Sequence, residues 1–524
     1  MYYTKWRFRS VWGDFSHSCP HGVRAGFNSE VAATAGLVAE ERHPASPGFG
    51  GFSSMTGKDT ETAMSHQEHT HQPDPAPSGG RRGRSRWWAA GVTGLALTTV
   101  GVTAIPAADA VGRTRTTVTD RPATDEHRGQ LNGGKPNDQS RDDPAKKSGR
   151  STGVPVPCDA DALIAAITLA NARGGGALDL ARNCTYLLTA NIDGAGLPTI
   201  TSPITLNGSK STTIERAAAV DQFRILNVGT GGDLTLNQLT ITGGQTTGAG
   251  ADGAGILVDA GGALTTKHST ITRNIASDAG GGIANNGTTH LRSSKVSRNT
   301  AGSTGGGILN SGLLNISNSG IHANTGFMGA GVTSTGAVRI EHSSISKNNA
   351  RESSGGLFVE SGTATVTDSS VTNNSATQVV GGILAGLSTE VSISSVTIAD
   401  NVTLNAVAGG LGVDYNASVV VDDSVIKNNN ASIEGGGIYN TSDLVLRNTK
   451  VFGNQAGSLG GGIYNENIGT VTLFTTKVTK NIAGADGGGI YNEVGGTVNL
   501  NTATGTVVVK NRPNNCVEVP GCAG

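Results

Sequence analysis

From about residue 199 onward the chain is built of short runs in which alternate residues are large and aliphatic, such as Leu444-Val445-Leu446 and Val471-Thr472-Leu473. That period of two sends side chains alternately to the two faces of a strand. A glycine-rich turn followed by an aliphatic residue recurs ten times, at Ile256, Ile283, Ile308, Val332, Leu357, Ile383, Leu411, Ile438, Ile463 and Ile490, in steps of 24 to 28 residues. A second signature, aliphatic-x-x-Asn, runs in phase with it. Its asparagines are read as Asn274, Asn299, Asn324, Asn348, Asn374, Asn401, Asn428, Asn454 and Asn481, with Asn511 closing the series.

One such repeat cannot bury its own apolar face, but stacked copies pair strand on strand and pile like residues into columns. The pattern therefore predicts an all-β fold. It is a right-handed parallel β-helix of about 10–12 three-strand coils over residues 199–511. The glycines allow positive φ at the corners, and asparagine tolerates the left-handed conformation there, so the Asn column reads as structural. Residues 158–198 are expected to cap the first coil. Leu163, Ile164, Ile167 and Ala170 lie at helical spacing between capping aspartates and Gly174-Gly175-Gly176.

The segment before the repeats reads differently. Arg81, Arg82, Arg84 and Arg86 precede an uncharged stretch from Trp87 to Ile105, followed by Ala108-Asp109-Ala110. Basic, apolar and small segments in that order predict a signal peptide at 81–110, with no membrane attachment once it is cleaved. An uncleaved anchor is the rival reading, since the stretch is long enough to span a bilayer. Residues 1–80 read as a disordered or mis-called extension. Residues 111–157, poor in large apolar residues, read as a flexible linker.

Four cysteines follow the signal, an even number that suits an oxidising compartment. Of the three pairings they allow, the expected one is Cys158 with Cys184 and Cys516 with Cys522, the latter in a tail at 512–524; free thiols are the alternative. From Cys158 onward there are 20 Lys and Arg against 25 Asp and Glu. A net of −5 lacks the cationic excess that nucleic acid requires.

The GGGIYN copies at 435–440, 460–465 and 487–492 resemble the actinobacterial right-handed β-helix repeat proteins, related to polymorphic outer membrane protein repeats. That resemblance implies the pectate-lyase-like fold, and its architecture is similar to that of pectate lyases and polygalacturonases. The outer-membrane relatives carry Phe-x-x-Asn, where this chain has Val or Ile.

Two columns carry candidate chemistry. Three positions after the aliphatic anchor stand Asp259, Glu360, Asp414, Glu466 and Glu493. Glu466 and Glu493, on adjacent coils, are the candidate calcium ligands, because carboxylates about 4.8 Å apart repel and would bind a cation or share a proton; a solvated turn is the alternative. Next to the ladder asparagines stand Arg273, Arg298, Lys347, Lys427 and Lys480, a cationic row suited to repeated weak contacts with polysaccharide or cell-wall polymers. Solubility and edge protection would explain the same row. No single register unites His268, His290, His322 and His342, so no histidine metal site is expected. The favoured function is a secreted or cell-surface rod that binds or scaffolds glycans without catalysis. The alternative is a lyase or hydrolase acting on acidic polysaccharide. The oligomeric state is not legible.

Overall fold

The aliphatic anchors occupy one interior column, and each pairs with its counterpart one coil away: Ile438 with Ile463, and Ile463 with Ile490, in parallel register. All three are fully buried. The computed structural model describes residues 153–523, so the expected extension, signal, most of the linker and Cys19 lie outside the described residues. Every inter-strand ladder in the described part is parallel, and the strands fall into sheets of 14, 13, 9 and 12 members, giving about 13 turns.

Each regular coil contributes a five-residue strand to the first sheet, a three-residue strand to the second, a two-residue strand to the third and a three-residue strand to the fourth. The coil containing Ile438 illustrates this with Ile438–Asn440, Asp443–Arg447, Lys450–Phe452 and Gln455–Ala456. The expected three-strand coil thus carries a fourth strand, just after the ladder asparagine. Two residues are too few to display an alternation, which is why the pattern hides it.

The solenoid also starts before the expected boundary. Val154–Val156 pairs with Gly176–Leu180, which pairs in turn with Pro203–Asn207, while Thr185–Leu188 opens the second sheet. The first coils therefore lie within residues assigned to linker and cap. Between those first two strands stands helix α1 (Ala160–Ala172). Asp159 caps it by accepting the Ala162 N–H at 2.7 Å, and Leu163, Ile167 and Ala170 are buried against the first coils. Gly174 and Gly175 take positive φ and end it. Cys158 is joined to Cys184 with S–S 2.05 Å, tying helix to solenoid, and Cys516 is joined to Cys522. The tail also adds a strand, Cys516–Val517, against Ile490 and Tyr491.

The asparagine ladder is continuous and buried. Asn299 donates its amide to Asn324 Oδ1 at 3.1 Å and to the Ile271 carbonyl at 3.1 Å, while its own Oδ1 accepts the Asn274 backbone and side-chain N–H groups. Satisfying every polar atom is what permits such burial. In one coil the ladder residue is Asn429, not Asn428: Asn401 donates to Asn429, which donates to Asn454. The inward aliphatic there is Ile426, and three residues on from it is Asn429. Asn428 takes the preceding left-handed corner, with φ of 53°.

The glycine triplets serve two purposes. Only the first of each clear copy, as in Gly435, Gly460 and Gly487, has positive φ. The third is needed for close approach: a Cβ on Gly462 would stand 2.5 Å from the Gly489 carbonyl oxygen and 2.9 Å from the Asn481 amide.

Candidate functional site

In the fourth sheet the middle residue of each three-residue strand faces away from the anchor column, with Ala284, Thr333 and Tyr464 buried there under neighbouring segments, and in the last three coils that residue is tyrosine. Tyr439, Tyr464 and Tyr491 pair in register and stack, with ring centroids 5.1 and 5.5 Å apart and planes within 4°. Each of the first two tyrosines donates its hydroxyl to a carboxylate one coil further on, Tyr439 to Glu466 and Tyr464 to Glu493. On the other side of the stack, just before the glycine turn, stands half-buried Glu434. Acidic groups therefore flank a column of aromatic edges.

Burial and the nearby Glu493 and Glu466 push the Glu434 carboxyl up to about 7. Burial raises Glu466 as well, against the opposing effect of the Tyr439 hydrogen bond, and raises Asp414 and Glu360. Both hydrogen-bonded tyrosines are pushed well above the ordinary phenol value, first by burial and then by the carboxylates they serve. The sequence showed these tyrosines as part of GGGIYN, but their reach to the following coil is a tertiary offset.

The calcium expectation at Glu466 and Glu493 meets a specific obstacle. Each already accepts a tyrosine hydroxyl, and among the described residues no group of three or more His, Cys, Asp or Glu side chains is arranged to hold a metal ion.

Most of the cationic row lies at the corner that precedes the Asn ladder. Arg273, Arg298, Lys347 and Lys480 occupy the left-handed position just before the ladder asparagine, with φ of 55 to 58°. Lys427 does not belong to that column, because the ladder residue of its coil is Asn429; it is in the second-sheet strand Val425–Lys427, opposite Phe452. The same sheet brings Lys450 directly opposite Lys477. Half-buried His322, one residue before the corner, is held below its ordinary pKa by burial and by Lys295, Arg298 and Lys347.

Two open hollows lie on the surface of the described residues. One of about 640 Å³ is lined by Asn318, His342, Asp368 and serines of neighbouring coils, and a second of about 390 Å³ lies at the Cys516–Cys522 loop. Neither contains a residue of the acidic–tyrosine column or of the cationic row. Among the described residues, no helix is long and apolar enough to cross a membrane.

Residues 279–443 match the family described as right handed beta helix region. The fold is a right-handed β-helix. No curated protein matches the chain significantly. Among solved structures, this β-helix is similar to the A-module of the mannuronan C-5 epimerase AlgE6 of Azotobacter vinelandii. That match has 16% identity and a TM-score of 0.39, and covers 69% of this chain and 94% of the other. It is also similar to PfbA, a surface adhesin of Streptococcus pneumoniae, with 12% identity, a TM-score of 0.30, and coverage of 66% and 91%.

Proposed function

We propose that this β-helix is an exported extracellular or cell-surface rod that binds or scaffolds glycan or cell-wall polymers without catalysing their cleavage. The observation that carries this reading is the arrangement of the outward columns. Cationic residues recur at whole-coil spacings along the corner after the second sheet, where Arg273, Arg298, Lys347 and Lys480 are exposed, so a polymer can be held by several weak contacts in series. Catalysis on an acidic glycan needs carboxylates and a basic group converging in one cleft. Here Glu466 and Glu493 follow fourth-sheet strands and are bonded to tyrosines, whereas Arg273, Arg298, Lys347 and Lys480 stand at the corner after the second sheet.

One observation favours the second reading, a polysaccharide lyase or hydrolase. Glu434 keeps its proton to near neutrality beside Glu466 and Glu493, as a general acid would.

The deciding experiment incubates the purified chain with a panel of uronic acid and wall polysaccharides, following retention together with unsaturated or reducing products. Retention without products is the expected result. Product formation that Glu434→Gln abolishes would replace the binding rod with the enzyme.

A further inference from the structure

Within the second sheet one strand is unlike its neighbours. The outward column that runs Thr270, Lys295, Gly320, Ser344 loses its side chain at Gly320. The next outward column runs Thr272, Ser297, His322, Ser346. A Cβ placed on Gly320 would stand 3.5 Å from His322 Nδ1, so the imidazole lies beside the space that Gly320 leaves open. Around that notch, at intervals of one coil or about 4.8 Å, stand the exposed Lys295 and Arg298 on the preceding coil and Lys347 on the following one. Arg273 extends the corner column by one coil more.

The charged groups that act on the His322 ring are Lys295, Arg298 and Lys347, all cationic. At the corner between the first and second sheets, two acidic side chains have partners of their own. Glu341 is ion-paired with Arg339, and Asp368 lies 3.8 Å from His342. The same corner carries Lys267, His268 and Arg292 on the earlier coils, so the cationic surface continues across the sheet.

We infer that the outer face of the second sheet between Thr270 and Lys347 binds an anionic polysaccharide, with acid groups of successive sugars seated over Gly320 among Lys295, Arg298, His322 and Lys347. This rests on the binding-rod reading and specifies its ligand class and its place on the rod. Gly320 supplies room for an acid group to approach the backbone. Lys295 and Arg298 meet it from one side and Lys347 from the other. The backbone carrying these side chains is held in strands and corners, so binding orders the exposed lysine and arginine side chains but no chain segment. A carboxylate or sulfate seated there favours the imidazolium form of His322 and raises its pKa.

The test uses the full purified chain on immobilised polygalacturonate, dextran sulfate and neutral dextran, the first two arms separating carboxylate from sulfate recognition. Retention on at least one anionic matrix, weakening as salt rises, is expected. Lys295→Gln combined with Arg298→Gln should lower that affinity at least about tenfold, whereas Arg173→Gln combined with Arg182→Gln, both exposed at the N-terminal cap, should leave it within about twofold; the magnitudes follow from losing two of a few charge contacts. Melting temperatures establish that both variants fold. In NMR titrations, the imidazole signal that disappears in His322→Gln should shift its midpoint upward when the retained polyanion is added.

Anionic retention that the Lys295 and Arg298 changes leave intact would overturn the inference while sparing the binding rod. So would retention of neutral dextran alone. Absence of retention on every matrix would overturn both. Stronger binding of single-stranded DNA than of either polyanionic glycan through the same residues would overturn the assignment to polysaccharide.

Discussion

Asn429 Oδ1 accepts both the backbone N–H and the side-chain amide of Asn401, each at 3.0 Å, while its neighbour Asn428 turns the corner outside the ladder. Removing the Asn429 side chain strands two buried donors of Asn401 and leaves the Asn454 carboxamide oxygen short of donors. Each buried group left unpaired costs about 1–3 kcal/mol. Asn429→Ala should therefore lower stability by at least about 2 kcal/mol in urea unfolding. Asn428→Gly, at a left-handed corner that glycine adopts freely, should change it by less than about 1 kcal/mol. The reverse order would return the ladder to Asn428.

Ile438 is fully enclosed between Leu411 and Ile463 in the anchor column. Truncation to alanine opens a cavity that stacked backbones cannot close, so Ile438→Ala should cost about 2–5 kcal/mol. A loss below about 1 kcal/mol would show that the column tolerates voids.

The Glu434 carboxyl gives the fold a pH dependence with a definite sign. Its pKa rises from 4.5 in the unfolded chain to about 7 in the folded one, so between those values the folded state holds a proton that the unfolded state has released. Stability contributed by this group is complete below about pH 4.5 and is lost as pH rises through about 7. Denaturation midpoints should fall over that window in the native chain, and the fall should be smaller in Glu434→Gln. An identical profile in the variant would move the effect elsewhere.

A calcium ion bridging Glu466 and Glu493 would compete with the Tyr439 and Tyr464 hydroxyls for the same carboxylate oxygens. Adding calcium, or EDTA, is expected to leave the melting temperature unchanged. A calcium-dependent rise that Glu493→Gln abolishes would establish the site.

The tyrosine stack and the acidic column also show how legible the site was. Glu466 and Glu493 could be placed on adjacent coils from spacing alone, because both follow their anchor by three residues. That a tyrosine hydroxyl from the coil before would engage each of them could not, since sequence spacing carries no side-chain reach. Lys427 and Asn428 show the complementary failure. Where two asparagines and two aliphatic residues adjoin, the motif matches in two registers, and only burial of Ile426 chooses between them.

By itself the sequence determined the coil. Its period of two fixed which side chains face inward, the 24 to 28 residue recurrence of anchors fixed the stacking, and Asp159 with the glycines of 174–176 fixed the capping helix. Tertiary structure decided the rest: the short third sheet, the Asn429 ladder position, the Tyr–Glu bonds between coils and the notch at Gly320. The physical reason is that alternation and repeat length are local properties of a strand and its turn. Contacts between coils depend instead on the lateral register of stacked backbones, which forms only when neighbouring coils pair.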